Sequence, residues 1–389
     1  VILAEIAFWL AALLIVYTYL LYPVLLFALS AGAQVRRDLA SLRSGRDRRP
    51  GGGSKLPALT LVVPAHNEER HLPRKLQNVA QLDYPRDRLE VILVSDGSTD
   101  GTNAILAAAQ GHDTRAILLD SRQGKYSALN AGVSQARHEI LVFSDAATEF
   151  APDALRNLAR HFADPTVGVV CGAVRFRNTA EAERTEGVYW TYECALRLME
   201  ARLGATLTAS GAIYAVRRAC YRPLTADDIL DDFVIPMHAR RLGYGVVFDP
   251  EAEAVDYAGA TVHDEFRRRV RLAVGSFRAL ADFLRVPMSG TTRLAFLSHK
   301  VLRWMLPFAM IALIAANAFL LSRPLYRATM AGQLLFYTWA ALGYLSRGQG
   351  RAVPGALLAY FLVAMNAAFL VGFFHYLTGR REAAWQRVG

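Results

Sequence analysis

Leu93-Val94-Ser95-Asp96-Gly97-Ser98-Thr99-Asp100-Gly101-Thr102 decides how the middle of this chain folds. An apolar strand end meets a carboxylate, then a glycine, then hydroxyl side chains suited to start a helix. The same grammar recurs on both sides of it. Short apolar runs occupy Leu59 to Val63, Glu90 to Ser95, Arg115 to Leu119 and Glu139 to Ser144. Helical patterns at Glu68 to Gln81, Thr99 to Gln110 and Lys125 to Ala136 separate them. Such alternation predicts a mostly parallel mixed sheet with helices on both faces, spanning residues 58–260. Ligands of open sheets bind beyond the carboxyl ends of the strands. Asp96 and Asp145 both fall at strand ends, which places them on one rim.

The turns around that rim carry the candidate chemistry. Val62-Val63-Pro64-Ala65-His66-Asn67-Glu68-Glu69 joins the first strand to the first helix, with Asn67 placed to cap it and the two glutamates to complement its dipole. Asp96 can accept from a base or a ribose, and Gly97 allows close backbone approach. The bland alternative is that Ser98 or Thr99 only caps the next helix. Gly124-Lys125-Tyr126-Ser127-Ala128-Leu129-Asn130 sets a lysine at a helix start, where a phosphate is favoured. Val142-Phe143-Ser144-Asp145 ends a strand in a carboxylate, either a turn residue or a ligand for the divalent cation that a diphosphate calls for. Leu230-Asp231-Asp232-Phe233 precedes a helix running to Arg241 and offers a general base, an N-cap, or one of each.

Composition takes the chain out of the ordinary soluble class. Of 389 residues 53% are hydrophobic, and the net charge is +10. That charge suits an anionic lipid surface or an anionic substrate. Nucleic acid is excluded as the partner, because the basic residues cluster beside apolar segments rather than among exposed aromatics. Cys171, Cys194 and Cys220 lack metal-ligand spacing and read as ordinary thiols of a reducing compartment.

Residues 1–31 carry Glu5 as their only charge and exceed the ~20 residues that span a bilayer. A cleaved signal peptide would have a basic leader and a shorter apolar run. Arg36, Arg37, Arg43, Arg46, Arg48, Arg49 and Lys55 follow, in a basic linker over 32–57 whose Gly45–Pro57 part is rich in glycine. The positive-inside rule then puts the next domain in the cytoplasm, on the inner face of the cell membrane. Over 261–290, Phe266, Val270, Val274, Phe277, Leu280 and Leu284 form one helical stripe flanked by arginines, as in a helix lying at a membrane interface or packed with a solvated face. Three further apolar segments, near 296–321, 328–346 and 353–377, precede a tail over 379–389 and bring the expected spans to four. Four spans would leave Arg380, Arg381 and Arg387 outside, against the charge rule. Trp304, Trp339 and Trp385 suit an interfacial aromatic belt, and His263 and His299 suit polar sites at the interface.

Taken in order, these motifs resemble the family 2 glycosyltransferases, over about residues 58–285. The resemblance implies a GT-A fold and transfer of a sugar from a nucleotide-sugar, UDP-linked, with inversion. The acceptor would be a glycan in cell-surface or exopolysaccharide synthesis; a membrane lipid, as a polyprenyl phosphate or glycerolipid, is the second expectation. A non-catalytic scaffold or transporter part is the third. Pro64, Ala65, Glu68 and Asp96 would contact the donor's nucleoside, with Lys125 on its phosphates. Asp145 would be the first carboxylate of the family's Asp-x-Asp motif and hold Mg²⁺ or Mn²⁺. Asp231-Asp232 would match the Glu-Asp pair, with Asp232 as catalytic base, and Gly211 would line the acceptor side. Arg268, Arg269 and Arg271 would match the arginine of Gln-x-x-Arg-Trp and neutralise the leaving diphosphate. Two positions depart from the pattern: Ala147 replaces the second metal carboxylate, and Leu272 stands where processive members carry tryptophan.

Overall fold

The computed structural model describes residues 1–44, 56–176, 182–256, 262–346 and 354–380. The helices are α1 Ile2–Val16, α2 Tyr22–Ser44, α3 Leu72–Ala80, α4 Thr102–Ala108, α5 Lys125–Gln135, α6 Ala154–Ala159, α7 Ala182–Arg202, α8 Asp231–Arg241, α9 Val262–Leu284, α10 Gly290–Ala295, α11 Leu302–Ala318, α12 Pro324–Ser346 and α13 Ala356–Leu377. The strands are β1 Leu59–Ala65, β2 Leu89–Asp96, β3 Thr114–Leu119, β4 Ile140–Phe143, β5 Thr148–Phe150, β6 Val167–Phe176, β7 Tyr214–Arg217 and β8 Gly245–Asp256. They make one sheet in the order β3-β2-β1-β4-β7-β6-β8-β5.

The half read from sequence, β1 to β4, is parallel throughout. Every residue of β1, β2 and β4 is buried, as expected of strands covered on both faces. Past β4 the sheet becomes mixed. β7 runs antiparallel to both β4 and β6, β8 lies parallel to β6, and β5 closes the edge antiparallel to β8. Helix α5 presses so close on β1 that a Cβ at Gly132 would stand 2.5 Å from Val62 Cγ1. One core, around Phe143, Tyr214, Phe233 and Leu129, therefore runs from the sheet into the apolar helices through Phe296 and Trp304.

Three helical stretches are long and apolar enough to cross a membrane: Ile2–Arg43, Gly290–Ala318 and Ala356–Leu377. That is one fewer than the sequence suggested. Helix α12 has 23 residues, but Arg327, Thr329, Gln333 and Thr338 lower its apolar content. The first stretch also runs further than expected. Residues 32–44 continue the helix rather than opening a linker, and 45–55 lie outside the described residues. Both α1–α2 and α10–α11 are joined by π-helical turns, Tyr17–Leu21 and Phe296–Val301, which meet through Tyr17 Oη and Ser298 Oγ at 2.8 Å.

Helix α9 packs closely on the last apolar helix. Val270, Val274 and Phe277 are buried, and Gly372 of α13 lies so near Ala273 that a Cβ there would stand 2.5 Å from it. The middle of the stripe thus packs on α13, while Leu284 at its end is exposed. Trp304 is buried against Phe233, Phe277 and Phe296 instead of joining an aromatic belt, whereas Trp339 is exposed. His299 is buried between two glutamates. Trp385, Arg381, Arg387 and the His263 side chain lie outside the described residues. The three cysteines are free thiols.

Candidate active site

The site is assembled by a relay of backbone contacts that begins at Gly97. Its φ is +59°, and a Cβ there would stand 2.3 Å from Arg122 N, so the loop before α5 packs directly on it. That approach brings the N–H groups of Gln123 and Gly124 onto the two carboxylate oxygens of Asp96, at 2.8 and 2.7 Å. Gly124, at φ +112°, then turns the chain into α5, and Lys125 is the first residue of the helix. Its Nζ reaches Asp145 Oδ1 at 3.0 Å and Asp231 Oδ1 at 3.6 Å. Burial works against that ammonium, but Asp145, Asp231 and Asp232 outweigh it and hold its pKa above the ordinary lysine value.

The first turn is laced to the second. Asn67 adopts φ +54°, donates its N–H to Ser98 Oγ and accepts from Thr99 N, at 3.1 and 2.8 Å. It does not cap α3, whose N-cap is His71. Glu69 Oε2 accepts from Gly101 N at 2.7 Å, while the Glu68 N–H donates to Thr102 Oγ1 at 2.8 Å. Glu68 is buried, with Oε2 2.7 Å from His71 Nδ1. Pro64 and Ala65 close β1 directly before this turn. The expected donor residues thus share one rim, but Asp96 and Glu68 face the protein's own turns.

Asp231 and Asp232 open α8, and neither caps it; the N-cap is Leu230. Their surroundings differ sharply. Asp231 accepts from Tyr214 Oη at 2.9 Å and pairs with Lys125. Among the described residues nothing donates to the Asp232 carboxylate, although its backbone oxygen accepts from Ala209 N at 2.7 Å. Desolvation, then the charge of Asp231, pushes the Asp232 carboxyl up to about 6, against Lys125, Arg197 and Lys300. Gly211 faces both groups: a Cβ there would stand 3.4 Å from Lys125 Nζ and 3.8 Å from Asp232 Oδ2.

Two of the arginines of α9 form local ion pairs. Arg268 and Arg269 both place Nε 2.7 Å from Glu265, and Arg271 lies partly buried along the same helix. Burial would raise the Glu265 carboxyl, but the two guanidiniums hold it down near 2. A residue the sequence reading missed is Lys75. It is buried on α3 and donates to Ser144 Oγ at 2.6 Å and Thr148 O at 2.7 Å, fastening the Asp145 loop from behind. Its signal was available, because Lys75 sits on the stripe formed by Leu72 and Val79.

The Lys125 ammonium between Asp145 and Asp231 marks a place where a cation is held. Among the described residues no group of three or more histidines, cysteines or carboxylates forms a metal cage. One or two carboxylates with substrate phosphates suffice for Mg²⁺, so these residues fit a cation shared with a diphosphate.

Residues 60–222 match the family described as Glycosyl transferase family 2. This segment is a family 2 glycosyltransferase domain. The chain is 26% identical over 236 residues, 58% of its length, to the poly-beta-1,6-N-acetyl-D-glucosamine synthase of Staphylococcus epidermidis. It is 30% identical over 273 residues, 65% of its length, to the beta-monoglucosyldiacylglycerol synthase of a Synechocystis species. In both cases the match spans 56% of the relative. In structure, the chain resembles a mannosyltransferase of Pyrobaculum calidifontis solved with GDP-Man and Mn²⁺. The TM-score is 0.68 at 24% identity, covering 92% of this chain and 98% of that one. The glycosyltransferase domain has the GT-A fold, with a mostly parallel sheet, and apolar helices attached.

Proposed function

We propose that the chain is a membrane-integrated, inverting glycosyltransferase that moves a sugar from a nucleotide-sugar, UDP-linked, to a glycan acceptor in cell-surface or exopolysaccharide synthesis. The observation that carries this reading is the contrast within the Asp231-Asp232 pair. Asp231 is occupied by Tyr214 and Lys125, and Asp232, poised near 6, is open to accept a proton at neutral pH. Asp232 takes the proton of an acceptor hydroxyl as that oxygen bonds to the anomeric carbon. The bond from that carbon to the diphosphate oxygen breaks on the opposite side. Lys125, fixed by the Asp96-bound turn, offers its charge to the departing nucleoside diphosphate. Asp145, with Asp231 beside it, would hold a divalent cation together with the diphosphate and so supply further neutralisation. The bilayer positions the acceptor, with Arg36, Arg37 and Arg43 at the end of α2 favouring a cytoplasmic catalytic domain.

A second reading, transfer of one sugar to a membrane lipid, is favoured by Leu272, which stands where processive relatives stack tryptophan on a sugar and packs here on the apolar core. Purified chain in membranes, given labelled UDP- and GDP-sugars with Mg²⁺ or Mn²⁺, separates the two. Polymer made from the nucleotide-sugar alone supports the first, and a lipid-soluble product bearing one sugar supports the second. Absence of transfer or hydrolysis with every donor overturns both.

A further inference from the structure

Gly275 of α9 lies against the residues that lead into the Asp231-Asp232 pair. A Cβ there would stand 2.9 Å from Leu230 Cγ and 3.1 Å from Ile229 Cβ, closer than aliphatic carbons pack. Further along the same helix, the Phe283 ring centre lies 4.3 Å from that of Phe233, the residue after Asp232. Leu230 in turn begins α8. Its backbone oxygen accepts from the N–H groups of Phe233 and Val234, at 3.0 and 2.8 Å. The place of Leu230 therefore sets the place of the first turn, which carries both carboxylates.

Helix α9 has no room to yield on its other side. Ala273 is two residues from Gly275, which on a helix turns the direction by about 200°. There α13 closes on it: a Cβ at Gly372 would stand 2.5 Å from Ala273 Cβ and 2.7 Å from Val270 O. One helix thus fills the whole space between the apolar stretch Ala356–Leu377 and the loop before Asp231. Interiors packed this closely transmit a displacement. A methyl group added at Gly275 would press on Leu230 Cγ and Ile229 Cβ, neither of which is the free end of a side chain. Glycine inside a helix costs stability relative to alanine, and the close seat on Leu230 explains its presence here.

We propose that Gly275 is a positioning residue for sugar transfer: its bare Cα seats α9 on Leu230 and so holds the first turn of α8, with Asp232, toward the acceptor. The proposal deepens the functional reading above and rests on Asp232 being the base. Gly275 acts through Leu230, and the donor side, fixed by the Asp96-bound turn, is independent of it.

The test compares Gly275→Ala with the wild-type full chain in detergent, by two readouts. The first is hydrogen exchange at Phe233 and Val234, whose N–H groups rest on Leu230 O. Their exchange should quicken by about tenfold or more, while that of β1 and β2 stays unchanged. The second is transfer from a labelled UDP-sugar: kcat should fall by about 10- to 100-fold, with donor KM and UDP affinity unchanged. Leu230→Ala removes the Cγ that the new methyl meets, so adding it to Gly275→Ala should restore most of both losses. In an Asp232→Asn background Gly275→Ala should cost no further rate, because a base that is gone cannot be misplaced. Unchanged exchange in Gly275→Ala overturns the proposal, as does a loss that Leu230→Ala leaves in place. A raised donor KM with kcat kept assigns α9 to the donor side and also overturns it. If Gly275→Ala does not fold, Gly372→Ala presses on α9 from the opposite face, and exchange at Phe233 and Val234 unchanged there overturns the proposal. Asp232→Asn turning over at the wild-type rate removes the base assignment instead, while exchange still decides whether Gly275 seats α8.

Discussion

The two halves of the sheet rim treat their carboxylates in opposite ways. On the parallel half, Asp96 receives two backbone N–H groups, so its charge is consumed in fixing a turn. On the mixed half, Asp232 is only partly exposed, yet its carboxylate is given no donor among the described residues. Satisfied carboxylates build the frame, and the unsatisfied one is left for chemistry. Asp232→Asn breaks this contrast most severely: kcat should fall by roughly 10²- to 10⁴-fold, with nucleotide affinity retained. The sign of its stability effect follows from the raised pKa. Between the ordinary value of 3.8 and about 6 the folded protein binds the extra proton, so stability falls as pH rises through that window. At pH 7 the ionised carboxylate is a liability, and the asparagine variant should be more stable by about 1–3 kcal/mol in thermal unfolding. The wild-type rate should lose its base along an acid limb near pH 6, read from kcat/KM against pH. A limb nearer 4 would move the role to another carboxylate.

Asp96→Asn sharpens the same comparison from the frame side. One oxygen becomes an amide nitrogen facing a backbone N–H, so a charge-assisted bond turns into a clash of donors. The turn holding Lys125 loosens, and the donor KM should rise by about tenfold or more, corresponding to 1.5–3 kcal/mol for one hydrogen bond to a charged group. The acid limb set by Asp232 should stay where it was. A shift of that limb without a change in donor KM would make Asp96 part of the proton chemistry.

The same division explains what the sequence disclosed. Residues β1 to β4 and their helices follow a local period, so Leu93 to Thr102 could be placed on strand, turn and helix without seeing the fold. Strands β5 to β8 obtain their partners from far along the chain: Val142 pairs with Ala215, and Cys171 with Phe248. No local pattern encodes those registers. Asp145 and Asp232 were recognisable as carboxylates next to apolar runs. That Asp231 would be occupied by Tyr214, leaving Asp232 open, depends on the β7 placement and was not legible. Arg268 and Arg269 have a local competitor for their charge in Glu265, one turn before them. The partners of His299, Glu193 and Glu200, arrive from about a hundred residues earlier on α7, so no local pattern announces them.

Lys75 gives the smallest expected effect and the finest test of the frame. Burial drives its pKa down to about 7, although Asp145, Glu149 and Asp256 oppose the shift. Between pH 7 and its ordinary value of 10.5 the unfolded chain binds the proton and the folded chain does not. Stability therefore rises with pH across that window and is flat below it on this group's account. Lys75→Met keeps the stem's volume and removes the titration, but leaves Thr148 O and Ser144 Oγ without their donor. The two effects oppose each other at pH 7, so little net change is expected there. By pH 9 the wild type should have gained about 1–2 kcal/mol over the methionine variant, measured by thermal unfolding in detergent at matched ionic strength. Equal slopes for the two proteins would mean that Lys75 stays charged, making it a second cation behind Asp145 and not a neutral part of the frame.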